Sequence, residues 1–267
     1  MTYLVAAILG VVQGLTEFLP VSSTAHLLIA GRLLGHEDPA FTVMIQLGSI
    51  LAIMWLYRVK IATVVRGLPS DRDAQRFALM LLVAAVPAVI AGVLLGDYVQ
   101  SVLYGSVRVI AVAFIAGGVV MLLVERFRPK PDVHDVESLP VGRALTIGTW
   151  QALALIPGVS RSGGTIVAAM LLGVDRAAAA EFTFFLAMPT MTAAFGHDLL
   201  EVRHDPGSAR GLEIAIGFVT AFLASALVVK PFLNYVKRSG FAPIAWYRIA
   251  AGAALVAAIV ARRNGWL

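Results

Sequence analysis

What most constrains this chain is a succession of apolar runs close to the ~20 residues that an α-helix needs to cross a bilayer at ~1.5 Å per residue. Six of them read as spanning helices: 41–57, 77–96, 107–124, 182–196, 212–229 and 244–261. A soluble core cannot absorb so much apolar sequence. Hydrophobic residues make up 59% of the chain and charged residues only 14%, against about half and about a quarter in an average soluble domain. The expected fold is an all-α polytopic membrane protein, with residues 1–267 forming one integral membrane domain.

The net charge of +5 has the same explanation, because Lys and Arg gather in the short segments between apolar runs. That pattern reports orientation in a membrane and implies no nucleic-acid partner. The absence of cysteine removes disulfides, thiolate metal sites and a thiol nucleophile from consideration. Residues 1–7 carry no basic region, and the following apolar stretch meets Glu17 and Pro20 without a small-residue cleavage pattern, so the N-terminus reads as mature protein.

Two further apolar segments, 3–34 and 144–174, are long but interrupted by polar and helix-breaking residues. Backbone freed at membrane depth must be buried in protein or line a wet cavity, since lipid offers it no hydrogen bonds. A helix, a turn and a second helix returning to the same face meets that demand. The competing reading is a pair of Pro-kinked spanning helices.

The halves resemble each other. GVVQGLTEFLPVSST from Gly10 matches GTWQALALIPGVSRS from Gly148 in the placement of Gln and Pro, and FTVMIQLGSI from Phe41 resembles FTFFLAMPTM from Phe182. Small-residue helices near Gly117 and Gly252 also correspond. With a proline-rich linker at 126–143 between them, repeats at about 1–130 and 140–267 each read as one broken segment and three spans. If the broken segments are re-entrant, each repeat crosses an odd number of times and the second is inverted.

In that model one side collects Arg58, Lys60, Arg66, Arg72, Arg76, Arg126, Arg128, Lys130, Arg143, Lys230, Lys237 and Arg238, and the other Arg32, Arg108, Arg203, Arg210, Arg262 and Arg263. The richer side is expected in the cytoplasm.

The first break holds Gln13, Glu17, Pro20, Ser22, Ser23, Thr24 and His26. Gln13 and Glu17, four residues apart, share a helix face above the turn. An ionisable group within an apolar segment reads as functional by default, the bland alternative being a carboxylate that caps the next helix. Any one of the hydroxyls alone would read as an N-cap. Three in a row, with Glu17 upstream and His26 just inside the helix, supply a nucleophile, a base and an acid.

The second break carries a different kit: Ser160, Ser162 and Thr165 as donors, Arg161 as charge, and Gly163 and Gly164 as backbone that can approach a ligand closely. A helix N-terminus with glycine and arginine makes an anion cradle suited to phosphate. Here the bland alternative is a structural ion pair between Arg161 and Glu17. Gln46 either reaches the site or bonds a neighbouring helix, and Arg248 either snorkels or pairs with a buried acid.

QGLTEFLPVSSTAHL and PGVSRSGGTI resemble the two signatures of the bacterial undecaprenyl-diphosphate phosphatases of the BacA type, and the resemblance extends over essentially the whole chain. It implies removal of the terminal phosphate from a C55 polyprenyl diphosphate lipid, yielding the carrier monophosphate used in cell-wall synthesis. It also implies a divalent cation, Mg2+ or Ca2+, and a multi-pass location in the bacterial plasma membrane; the distribution of basic residues puts the opening of the site on the outer side.

Carried onto matching positions, it makes Glu17, Ser23 and His26 the catalytic residues, with Glu17 also a metal ligand. Gln13, Ser22, Thr24, Ser160, Arg161, Ser162, Gly163, Gly164 and Thr165 become substrate-binding residues. Ala25 departs from the family pattern, which leads one to expect glycine there. The residues suggest that Ser23 attacks phosphorus while His26 or Glu17 takes its proton, the competing route being direct attack by water. A transporter or flippase for an anionic or phosphate-bearing substrate is the alternative function, since inverted repeats with midplane breaks also build transporters.

Overall fold

The computed structural model describes residues 2–36, 38–202 and 211–264. Among these the secondary structure is helical: α1 (Tyr3–Thr16), α2 (Ser23–Leu33), α3 (Pro39–Leu56), α4 (Arg58–Gly67), α5 (Arg72–Val102), α6 (Val107–Phe127), α7 (Val141–Gln151), α8 (Arg161–Leu171), α9 (Arg176–Val202), α10 (Gly211–Ser239) and α11 (Ala242–Arg263). Arg203 and Arg210 lie outside the described residues. The chain is an all-α polytopic membrane protein. Its helices expose apolar side chains as a lipid-facing surface does: Val93 and Leu94 on α5 are 75% and 74% exposed, and Leu227 on α10 is 74% exposed.

Local chemistry sets the ends of these helices. Asp38 accepts from the Phe41 amide with Pro39 in the first turn of α3, Asp71 caps α5, and Ser106 caps α6. Among the described residues the expected 41–57 span is the shorter α3, which reaches the length needed to cross only together with the helix that follows it. The other five expected spans appear as helices long and apolar enough to cross, and several run further than their apolar runs. The extensions carry Arg72, Asp73 and Arg76 on α5 and Lys230, Lys237 and Arg238 on α10, which continue the helix past the hydrocarbon.

One element was not expected. After α3 the chain turns by 73° into α4, where the sequence reading had only a loop. Arg58, Lys60 and Arg66 keep this segment out of a span, yet nothing in it breaks a helix.

Both broken segments form pairs of short helices that pack on each other, α1 with α2 and α7 with α8. At 14 and 11 residues, α1 and α2 are too short to cross. The second break contains a 3-10 turn at Ala152–Leu155.

The two hairpins are held in matching ways, α1 packing on α10 and α7 on α5, while α6 packs on α11. A Cβ on Gly148 would lie 1.9 Å from the Ala84 carbonyl oxygen, so α7 and α5 meet backbone to backbone. At the centre is α9, whose Phe182, Phe184, Phe185 and Leu186 are buried.

One end of the bundle gathers the basic segments. Lys60 Nζ lies 2.5 Å from Glu137 and 3.6 Å from Glu181, Arg143 donates twice to Asp132 at 2.7 Å, and Arg176 pairs with Glu125. A bridge between Val133 and Val174 ties the linker to the α8–α9 connection. At the other end Arg32 Nη2 donates to the Gly105 carbonyl at 3.1 Å.

Candidate active site

Glu17 is the hub of the site, 6% exposed and directly after α1. Its Oε2 accepts from Ser23 Oγ at 2.6 Å and from Gln13 Nε2 at 2.7 Å, and its Oε1 accepts from Arg161 Nη2 at 2.9 Å. The i, i+4 relation of Gln13 to Glu17 is realised as a hydrogen bond on one helix face. Ser23 reaches Glu17 because the chain reverses at Ser22, which has φ 69. Such backbone is costly for a non-glycine residue and persists only when its surroundings hold it.

The second tip repeats the device. Ser160 has φ 73, and its Oγ caps α8 by accepting from the Gly163 amide at 3.1 Å. Ser162 Oγ donates to the Leu19 carbonyl at 2.8 Å, which joins the second tip to the first. Gly158, with φ +94, lets the chain pass α6: a Cβ there would sit 3.0 Å from the Ile110 Cα and carbonyl oxygen.

Between the tips lies a cavity of about 500 Å³, lined by Glu17, Ser22, Ser23, Thr24, Ser160, Arg161 and Ser162 together with stretches of α5 and α9. Those stretches begin just after Pro87 and Pro189, internal prolines that each remove a helix hydrogen bond. Two helix N-termini meet this space. α2 has no side-chain cap, so the amides of its first turn remain available beside Ser23 and Thr24.

The structure places some candidates elsewhere. His26 does not line the cavity: its Nδ1 donates to the Ser22 carbonyl at 2.8 Å, and its Nε2 is hydrogen-bonded with the Tyr247 hydroxyl at 2.6 Å. Because a carbonyl can only accept, this pairing puts a proton on Nδ1. Thr165 is fully buried between α8 and α9, bonded to Thr183 Oγ1 at 2.8 Å and to the Arg161 carbonyl at 3.0 Å.

The Gly163 and Gly164 amides are already taken, by Ser160 Oγ and by the Ser160 carbonyl. The cap therefore leaves the amides of Arg161 and Ser162 for an anion. Ala25 packs its methyl against Ile110 and Phe114, a contact glycine could not make.

Sequence reasoning missed Gln151, although its alignment with Gln13 was the available signal. It lines the cavity, is 3% exposed, and its Oε1 has no hydrogen-bond partner. Gln46 also lines the cavity. Arg248 was expected to snorkel or to pair with an acid, and it does neither. It is 1% exposed and donates to backbone carbonyls of both tips.

Among the described residues no three His, Cys, Asp or Glu side chains cluster as a metal site. The donor set nevertheless fits a hard divalent cation that arrives with phosphate, because such ions take one or two carboxylates plus phosphate oxygens. Glu17 supplies the carboxylate, and the buried, unpartnered Oε1 of Gln151, which lines the same cavity, is an oxygen of the right kind.

A family model described as bacitracin resistance protein BacA matches residues 6–254. The chain is 48% identical to an undecaprenyl-diphosphatase of Cereibacter sphaeroides (strain ATCC 17025) over 97% of each chain. It is 49% identical to an undecaprenyl-diphosphatase of Paracoccus denitrificans over 98% of each, and 48% identical to undecaprenyl-diphosphatase 1 of Agrobacterium fabrum over 96% of each.

Proposed function

Because the chain belongs to the bacitracin resistance protein BacA family, we infer that it is an integral membrane phosphatase that hydrolyses undecaprenyl diphosphate to the monophosphate and inorganic phosphate. This returns the lipid carrier to cell-wall peptidoglycan synthesis. The observation that carries the mechanism is the Ser23 hydroxyl donating at 2.6 Å to a carboxylate that is itself paired with Arg161 at 2.9 Å. A nucleophile in hydrogen-bond contact with its base, which a third group orients, is the arrangement nucleophilic catalysis requires. Transport of an anion needs no such pair.

In this mechanism the diphosphate enters the cavity with its terminal phosphate at Arg161 and at the open N-termini of α2 and α8. Ser23 Oγ attacks the terminal phosphorus and its proton passes to Glu17 Oε2. The bond from phosphorus to the bridging oxygen breaks, and the polyprenyl monophosphate leaves with that oxygen. Glu17 gives its proton up to solvent, takes one from the water that attacks the phosphoserine, and passes it to Ser23 Oγ as the phosphorus–Oγ bond breaks, so that phosphate leaves with the water oxygen and the Ser23 hydroxyl and Glu17 carboxylate are restored. Positioned donors aimed at the developing charge supply the rest of the acceleration.

Ser22, Thr24, Ser160 and Ser162 shape and line the cradle, and Gln13 holds Glu17. His26 acts by fixing the Ser22 turn, while Thr165, Gly163 and Gly164 build α8. A divalent cation, Mg2+ or Ca2+, would be held by Glu17 with the Gln151 amide oxygen, and it would supply charge neutralisation to the diphosphate when bound.

The matching packing of the two hairpins and the shared order of short pair and long helices support halves related by inverted topology. The basic end, gathered by the Lys60, Arg143 and Arg176 pairs, is assigned to the cytoplasm of the plasma membrane, which leaves the cavity opening outward.

Phosphate release from polyprenyl diphosphate by the purified protein tests the function, and trapping of phosphate on Ser23 tests the covalent route. Substantial phosphate release by Ser23→Ala would sink that route in favour of direct attack by water. Movement of polyprenyl phosphate between leaflets without phosphate release would favour the transporter.

A further inference from the structure

Arg248 lies in the first half of α11, far in sequence from both tips, and its guanidinium touches each of them. Nη1 donates to the Pro20 carbonyl at 3.0 Å, and Nη2 to those of Gly158 at 2.9 Å, Val159 at 3.1 Å and Ala113 at 3.1 Å. Pro20 stands two residues before Ser22, and Val159 directly before Ser160. These serines are the two non-glycine residues with positive φ among the described residues. The same plane of donors thus grips the backbone leading into both left-handed turns.

The bundle is shaped to admit this group. A Cβ on Gly117 of α6 would lie 2.2 Å from Arg248 Nη2 and 2.8 Å from Cζ, and the guanidinium rests 5.6 Å from the centre of the Phe114 ring. A cation buried in an apolar bundle is costly, and bonding to carbonyls alone leaves its charge without a counter-ion. Neutral donors from separate side chains could satisfy the same carbonyls. What they could not do is tie two tips from opposite halves of the chain to one rigid fork.

We propose that Arg248 is a positioning residue that clasps the tips of both hairpins and so fixes the Ser23–Glu17 pair of the first against Arg161 of the second. The proposal rests on the phosphatase reading and adds to it the part that sets the distance between nucleophile and phosphate cradle. An error of about 1 Å in such a distance is enough to cost on the order of 100-fold in rate. Lysine at this position keeps the charge but offers a single point of attachment, so it cannot hold both tips.

The test measures kcat and KM for phosphate release from polyprenyl diphosphate by purified wild type, Arg248→Lys, Gly117→Ala and the double variant. Melting temperatures are taken in the same detergent. Gly117→Ala leaves the arginine in place while its methyl displaces the guanidinium. Each single variant is expected to lose about 10- to 100-fold in kcat with KM changed less than about threefold. In the double variant Gly117→Ala should add little to the loss from Arg248→Lys, because the methyl acts through the arginine.

Wild-type kcat in Arg248→Lys, or losses that multiply in the double variant, would overturn the proposal. Should Arg248→Lys fail to fold, Gly117→Ala decides alone, and unimpaired kcat there overturns it. A wild type that releases no phosphate overturns the phosphatase reading, whereas an active wild type beside unimpaired variants overturns this proposal only.

Discussion

Replacing Glu17 with glutamine separates the two duties assigned to this carboxylate. The substitution keeps the shape of a side chain that accepts from Ser23 at 2.6 Å, Gln13 at 2.7 Å and Arg161 at 2.9 Å, and it removes the proton acceptor. A positioned general base contributes about 10²- to 10⁴-fold, or about 2.7 to 5.4 kcal/mol at ~1.36 kcal/mol per decade. The expected fall in kcat is of that size.

KM should move the other way. At saturating divalent cation, where the lost carboxylate ligand does not limit cation binding, KM reports the other contacts: Glu17 competes with the incoming diphosphate for Arg161 and repels it, and glutamine does neither, so KM is expected to stay or to fall. Arg161→Gln should show the reverse weighting, with KM raised at least about tenfold by loss of the bidentate phosphate donor. The assay is inorganic phosphate release by purified protein across a substrate titration, with a melting curve for each variant. Removing one partner of a sealed ion pair costs about 3 to 5 kcal/mol, but Arg161 is 16% exposed to the cavity, so a smaller loss of stability is expected. A Glu17→Gln protein that kept more than about a tenth of kcat, or lost affinity as Arg161→Gln does, would refute the assignment of Glu17 as base.

Gly148→Ala should destabilise the bundle by about 1 to 3 kcal/mol or more, since its Cβ would meet the Ala84 carbonyl oxygen at 1.9 Å; thermal unfolding in detergent checks this, and an unchanged melting temperature would contradict the backbone contact of α7 with α5. Gln151→Leu should leave the melting temperature unchanged or raise it, because the amide Oε1 is buried without a partner, while raising KM in the phosphate-release assay.

At the basic end, the Arg143 guanidinium hydrogen-bonded to Asp132 holds its carboxyl below the ordinary range; burial pushes Glu137 up, but the hydrogen bond and charge of Lys60 together with a backbone hydrogen bond outweigh it and the net shift is downward. Carboxyls depressed in the folded state stabilise it above their unfolded pKa of about 4 and cease to do so as pH falls through the lower folded value. Proteolysis of the 128–140 linker should therefore rise below about pH 4, and in Asp132→Asn it should already be high at neutral pH.

The spans and the breaks were legible because a run of apolar residues of that length has one stable home, and because polar residues inside such a run need protein around them. α4 was not legible, since ten residues carrying Arg58, Lys60 and Arg66 leave no apolar signal long enough to register. Within the site, Glu17, Ser23 and Arg161 could be picked out from residue type alone. The choice of Glu17 over His26 as neighbour of the nucleophile could not, because it depends on the left-handed turn at Ser22, and nothing in a serine announces positive φ. Arg248 was misjudged for a related reason. Sequence displays acids that an arginine could pair with, but it does not display carbonyls set free by a broken helix elsewhere in the chain.

The sequence posed a structural Arg161–Glu17 pair as a rival to a catalytic role for both, and the geometry makes these compatible. Without substrate each charge needs the other, because neither is stable alone in an apolar bundle. On the proposed mechanism the diphosphate replaces Glu17 as the partner of Arg161, and the carboxylate is left beside new negative charge with its cation withdrawn. Ser23 Oγ already donates to the other oxygen of that carboxylate at 2.6 Å, so the acceptor of the serine proton is in place before the substrate arrives. The contact that stabilises the resting site is thereby the one the diphosphate displaces, and its displacement leaves Glu17 facing Ser23.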